Sequence, residues 1–338
     1  MSGFKDRAVI VPESIEVGFL YEKMKDRLQL KLLSDESGFN RKITEQNLNR
    51  PGLALAGFID LFTFARIQIF GNTEHRYLCS LPLEEKSKAI DRVFHYPIPC
   101  LIYTNNNTPD ESIIVKANEL NIPLFISSFT TTKFNYLLTD FLEDQFAPRV
   151  TVHGSFVDVY GVGILLIGKS GIGKSEIALD LIERGHRLVA DDVTMFTKKG
   201  EGILMGSSLD MSQGFVEIRG LGILNIAKMF GVRSIRYQKR LEVIVNLEIF
   251  DANQEYDRLG LDENMVTILD VDIPEKKLPI LPGKNITVIA EVIALNYLLK
   301  HYGYDSAEDF RKRLMNALKS GKGKAGKRGI DYFEHDFE

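Results

Sequence analysis

Over about the first 130 residues, short apolar runs alternate with segments of helical period, the pattern of an α/β domain. The runs Leu53 to Gly57, Ile67 to Phe70, Cys100 to Thr104 and Leu124 to Ser127 are expected as strands. Helices are expected over Ile15 to Leu33, Leu83 to Phe94 and Asp110 to Leu120, with Pro82, Pro109 and Pro123 punctuating them. A further helical pattern over Thr132 to Phe146 places Phe134, Leu137, Leu138, Phe141 and Leu142 on one face and stops before Pro148; it reads as a connector. From Thr151 the β pattern resumes around Gly154, Gly161 and Gly163, as for a hairpin entering a second α/β domain. The expected division is therefore 1–131, a connector 132–149, a second domain 150–320 and a tail 321–338.

The apolar run Val162-Gly163-Ile164-Leu165-Leu166-Ile167 leads into Gly168-Lys169-Ser170-Gly171-Ile172-Gly173-Lys174-Ser175, which has the G-x-x-x-x-G-K-S spacing. Glycines there let several backbone N–H groups converge on one anion, and the following helix adds the positive end of its dipole. Lys174 then reaches outer phosphates of a nucleoside triphosphate and Ser175 takes a place on Mg²⁺. Ile177, Ala178, Leu181 and Ile182 fall on one face of that helix, which stops at Gly185.

The strand His186-Arg187-Leu188-Val189-Ala190 delivers Asp191 and Asp192 at its carboxyl end, where open α/β sheets hold reacting groups. Adjacent side chains alternate across a strand, so one aspartate at most faces the phosphates. Either could hold Mg²⁺ or accept the proton of an attacking hydroxyl. In Val216-Glu217-Ile218-Arg219-Gly220-Leu221-Gly222-Ile223-Leu224-Asn225, Glu217 and Arg219 share a face of an extended segment and offer a metal ligand and a phosphoryl-charge partner. Asp257-Arg258-Leu259-Gly260 supplies another guanidinium. Pro279-Ile280-Leu281-Pro282-Gly283-Lys284 is a proline-stiffened loop before a helix at Ile286 to Lys300 that can cover a phosphate site.

Composition narrows the picture further. With 42 basic and 46 acidic residues there is no global attraction to nucleic acid, and no run reaches the 18 apolar residues of a membrane span. Two cysteines, Cys79 and Cys100, are too few for a disulfide framework and read as small buried groups of a cytoplasmic protein. Between Arg311 and Arg328 the chain is basic, as in a solvated helix end followed by a linker.

Taken in order, His153-Gly154, the loop Gly168 to Ser175, Arg184 to Leu188 with Ala190-Asp191-Asp192, Glu217 to Ile223, Asp257 to Gly260 and Pro282-Gly283 with Asn285 resemble the HPr kinase/phosphorylases. Arg50-Pro51-Gly52-Leu53 resembles that family's first domain more weakly. The resemblance implies an N-terminal α/β domain and a C-terminal P-loop kinase domain, ATP and Mg²⁺ as cofactors, and a regulatory serine of the phosphocarrier HPr as substrate. It also implies a reverse reaction in which inorganic phosphate removes the phosphoryl group as pyrophosphate, and a homohexamer. Carried over, His153, Lys174, Asp192 and Arg258 match active-site residues, and Ser175 and Glu217 match Mg²⁺ positions. Val216 to Asn225 matches a segment needed in both directions, and Pro279 to Lys284 a loop tied to dephosphorylation. Lys169 departs from the family pattern, at a position often acidic in relatives. A small-molecule or carboxykinase-like kinase on the same loop is the rival enzyme; a GTPase-like switch lacks its Asn-Lys-x-Asp motif.

Overall fold

The computed structural model describes residues 8–251, 264–281 and 283–319. Two compact units divide the chain: one holds residues 8–150 with 197–201, the other 151–196 and the described residues from 202 onward. Among the described residues no helix is long and apolar enough to cross a membrane.

In the first unit a five-stranded sheet runs in the order Leu30–Leu32, Leu124–Ser127, Leu101–Tyr103, Ile67–Phe70, Leu48–Asn49. All neighbours pair in parallel except the first two. Helices cover both faces, so the central strands are buried along nearly their whole length rather than on alternate residues. Helices Leu83–Phe94 and Glu111–Glu119 follow the expected pattern.

Three expectations change. Leu53 to Gly57 is not a strand but part of the helix Gly52–Ala56. Its Leu-Ala repeat favours helix, it buries only Ala54 and Leu55, and Gly57 closes it at φ 108°. Ile15 to Leu33 is not one helix: Val17–Met24 is helical, Gln29 turns the chain at φ 51°, and Leu30–Leu32 pairs antiparallel with Leu124–Ser127. The helix Thr131–Phe146 is more than a connector, because Phe134, Leu138 and Leu142 are fully buried in the core of the first unit. Of the cysteines, Cys100 is buried, and burial pushes its thiol well above the usual value, whereas Cys79 is exposed on the helix Asn72–Ser80.

The second unit is built on a six-stranded mixed sheet in the order Arg187–Ala190, Ser155–Val159, Val162–Gly168, Val243–Ile249, Val271–Ile280, Asn264–Ile268. Ser155–Val159 and Val162–Gly168 form the expected hairpin. Its two-residue turn, Tyr160 at φ 53° and Gly161 at φ 84°, has the left-handed pair that matches strand twist. Helices Lys174–Glu183 and Ile286–His301 pack their apolar residues on this sheet. A four-stranded sheet orders Gln238–Arg240, Ile203–Ser208, Val193–Lys199 and Arg149–His153. Phe156 and Phe196 meet edge-to-face between the two sheets at 5.4 Å, over Gly206, where a Cβ would lie 2.5 Å from both rings.

Candidate active site

Arg187–Ala190, Val162–Gly168, Val243–Ile249 and Val271–Ile280 all run in one direction, so their carboxyl ends share one edge of the sheet. That edge carries Asp191 and Asp192, the loop Gly168 to Ser175, and the approach to Leu281. The chemistry-bearing residues converge there because chain direction, not sequence proximity, sets the edge.

Within the loop, Gly168 at φ 149° approaches so closely that a Cβ would stand 2.6 Å from the Leu247 carbonyl oxygen. Gly173 at φ 100° opens the helix Lys174–Glu183, whose first-turn N–H groups have no partner within the helix. Lys174 Nζ donates to the carbonyls of Gly168 and Lys169, each at 3.1 Å, which folds the ammonium over the loop. Arg219, in the turn of the hairpin Phe215–Ile218 and Gly222–Asn225, donates from Nη2 to Ser170 Oγ at 3.0 Å. A Cβ on Gly171 would lie 2.9 Å from Arg219 Nη1, so the guanidinium rests directly on the loop. The expectation that Glu217 and Arg219 share a strand face changes: Glu217 is on the exposed face of the strand, but Arg219 lies beyond its end, in the turn with Gly220 at φ 88°.

The two aspartates have opposite environments. Asp191 is 5% exposed, and its Oδ1 accepts from Ser155 Oγ at 2.5 Å and Ser175 Oγ at 3.1 Å, while Oδ2 is buried and makes no hydrogen bond. Burial raises its carboxyl above the ordinary range; the two hydroxyls, and then the backbone N–H groups of Glu217 and Asp192, oppose this. Asp192 is open to solvent at φ 63°, its Oδ1 3.9 Å from His153 Nδ1, too far for a hydrogen bond. Both side chains of that pair are more than three-quarters exposed.

The helix Lys174–Glu183 is held at its far end. Gly185 at φ 97° closes it, with Gly185 N–H bonded to Ile182 O and His186 N–H to Leu181 O. Arg184 then makes a two-pronged pair with Glu291 at 2.9 and 2.7 Å, and His186 Nε2 lies 3.0 Å from the same carboxylate. This ties the phosphate-loop helix to Ile286–His301, whose first turn Asn285 caps by accepting from Val288 N–H. Ahead of that cap, Lys284 Nζ reaches back to the Pro279 carbonyl at 3.5 Å. Arg258, with Asp257, Leu259 and Gly260, and Pro282 lie outside the described residues.

A hydroxyl, carboxylate oxygens and an orphaned buried Oδ2 form the donor set of a hard cation such as Mg²⁺, so these residues fit one. Among the described residues no group of three or more His, Cys, Asp or Glu could hold a metal. Of the residues in the site, Asp191 is singled out by its strand-end position but Ser155 by nothing more than a hydroxyl at the head of a buried strand.

Residues 15–142 match the family model described as HPr Serine kinase N terminus, and residues 144–314 that described as HPr Serine kinase C-terminal domain. The chain is 54% identical over 333 residues to the HPr kinase/phosphorylase of Chloroherpeton thalassium, covering 97% of this chain and 98% of the relative. It is 46% identical over 336 residues to that of Prosthecochloris aestuarii, covering 98% and 99%. A solved structure of the Hpr(Ser) kinase/phosphatase from Coxiella burnetii aligns with 47% of this chain and 97% of its own, at 34% identity and a TM-score of 0.43. A strand-borne phosphate loop, an aspartate pair at the same sheet edge, and both halves of one family along nearly the whole length lead to one assignment: the chain belongs to the HPr kinase/phosphorylase family.

Proposed function

We propose that this enzyme transfers the γ-phosphoryl group of ATP to a serine of HPr and, with inorganic phosphate, removes it again as pyrophosphate. The observation that carries the reading is the pairing of a buried, hydroxyl-bound Asp191 with an exposed Asp192 beside the phosphate loop. In the forward direction Asp192 accepts the serine proton while the serine oxygen bonds to phosphorus and the bond to ADP breaks. In reverse, a phosphate oxygen bonds to the phosphoserine phosphorus, and the serine oxygen leaves with the proton from Asp192. Lys174, Arg219 and Arg258 balance charge on the phosphoryl oxygens, and His153 contacts them from the solvent side.

Ser175 and Glu217, with Asp191 orienting the Ser175 hydroxyl, are the residues to hold Mg²⁺. That ion, when bound, neutralises phosphate charge. The segment Val216 to Asn225 serves both directions, because its turn brings Arg219 onto the loop. Pro279 to Lys284 favours dephosphorylation. Residues 150–320 carry the chemistry, in a cytoplasmic homohexamer. Exposed Leu221, Ile223, Met229 and Val232 support self-association.

The test is incubation with HPr, ATP and Mg²⁺ followed by addition of phosphate. Phosphoserine should form and then disappear with release of pyrophosphate, and sedimentation should give a six-chain mass. Failure to phosphorylate HPr while a small molecule is phosphorylated would establish the rival kinase instead.

A further inference from the structure

Ser155 is 1% exposed and heads a strand whose next two residues, Phe156 and Val157, are fully buried. A hydroxyl has no packing advantage at such a place, and leaving it without a partner is costly. Its partner is Asp191, reached across the sheet because Ser155–Val159 lies between Arg187–Ala190 and Val162–Gly168. On the same carboxylate oxygen, Oδ1, Ser175 also donates.

We infer that Ser155 is a positioning residue for the phosphoryl-transfer site: its hydroxyl pins Asp191 Oδ1, so that the Ser175 hydroxyl donates inward and presents its lone pairs outward to the cation. The inference rests on the reading above that Ser175 holds Mg²⁺. A serine hydroxyl has one proton and two lone pairs, so the direction in which it donates decides where it can coordinate. A carboxylate held by one hydroxyl can turn about its Cβ–Cγ bond and exchange Oδ1 for Oδ2; held by two from different elements, it cannot do so without breaking both contacts. Ser155 comes from a strand flanked on both sides and Ser175 from the phosphate-loop helix, so the carboxylate links the sheet to that helix. Asp191 Oδ2, buried and without a hydrogen bond, is kept for the cation or a water on it.

The decisive experiment uses the full chain and two variants of equal shape, Ser155→Thr and Ser155→Val, which differ only in the hydroxyl. Binding of a fluorescent ADP analogue is titrated with and without Mg²⁺, and thermal melts check that each variant is folded. For wild type and Ser155→Thr, Mg²⁺ should tighten binding by the same factor. For Ser155→Val that gain should fall about tenfold, or about 1.4 kcal/mol, with metal-free affinity within about twofold of Ser155→Thr. Equal Mg²⁺ gains in the two variants would overturn the role of Ser155, as would an equal loss of metal-free and Mg²⁺-dependent affinity in Ser155→Val. Absence of any Mg²⁺ gain in the wild type would overturn the cation reading itself.

Discussion

Substituting His153 and Asp192 separately and together decides what the histidine does. The two groups stand 3.9 Å apart with side chains 77% and 78% exposed. Even a fully protonated imidazole at that distance attracts a carboxylate in water by only about 1 kcal/mol, and physiological salt reduces this to about 0.6 kcal/mol. Acting only through Asp192, His153 could therefore alter transfer by about threefold to sixfold. One donor lost from the phosphoryl oxygens costs about 10²-fold to 10³-fold. Asp192→Asn is a clean partner variant, because Asn tolerates the positive φ of 63° that this position requires. It removes the proton acceptor, for an expected loss of about 10²-fold to 10⁴-fold in both directions. Single-turnover transfer of labelled phosphate to HPr, and its removal by phosphate, measures all four proteins. His153→Ala should lose at least about 10²-fold, and the loss should persist in the Asp192→Asn background, as direct phosphoryl contact requires. A loss of sixfold or less that vanishes in that background would refute the assignment, and Asp192→Asn retaining transfer within about tenfold would refute the proton acceptor.

Three further outcomes follow from packing and charge. Arg184, and then His186, hold the Glu291 carboxyl below its ordinary value of 4.5, so these contacts stabilise the fold above that pH, and the contribution is lost as pH falls through the lowered value. Urea midpoints should therefore show wild type more stable than Glu291→Gln at pH 7, with the gap closing below about pH 4.5; a gap constant down to pH 3 would contradict the ion-pair account. Leu138→Ala, at a fully buried site of the first unit, should cost about 2–5 kcal/mol in denaturant unfolding, and a cost below about 1 kcal/mol would show that the helix Thr131–Phe146 is not part of that core. Asn285→Ala should cost about 1 kcal/mol through its lost cap, measurable as a lower melting temperature; an unchanged melt would show that the Val288 N–H finds another partner.

Local signals in this chain proved readable where structure is also local. Leu83–Phe94 and Leu124–Ser127 need only their own period and flanking prolines, and the phosphate loop needs only its glycine spacing. Where tertiary pairing decides, the pattern misleads. Leu30, Lys31 and Leu32 suit a helix as well as a strand, and only the free edge offered by Leu124–Ser127, more than 90 positions away, makes them β. The Leu-Ala run at 53–56 shows the reverse failure, since a short apolar run has no period of its own and its helix is set by Gly57 at the closing turn.

The site divides along the same line. Spacing alone leaves the roles of Asp191 and Asp192 interchangeable, because strand alternation says only that they face opposite ways. Their distinction arises from partners 36 positions upstream and 16 positions upstream, Ser155 and Ser175, which turn one carboxylate inward while the other stays exposed. Arg219 likewise reaches Ser170 from 49 positions away through a hairpin whose buried Val216 and Ile218 dock beside the phosphate-loop helix. The division of labour has a physical basis. A fixed, dehydrated carboxylate can orient a metal-binding hydroxyl, whereas a proton acceptor for a protein side chain must stay exposed, since that side chain arrives on the surface of another molecule. On the roles proposed for them, one Asp-Asp step at a sheet edge meets both needs, so that two directions of phosphoryl transfer share a single proton-carrying group.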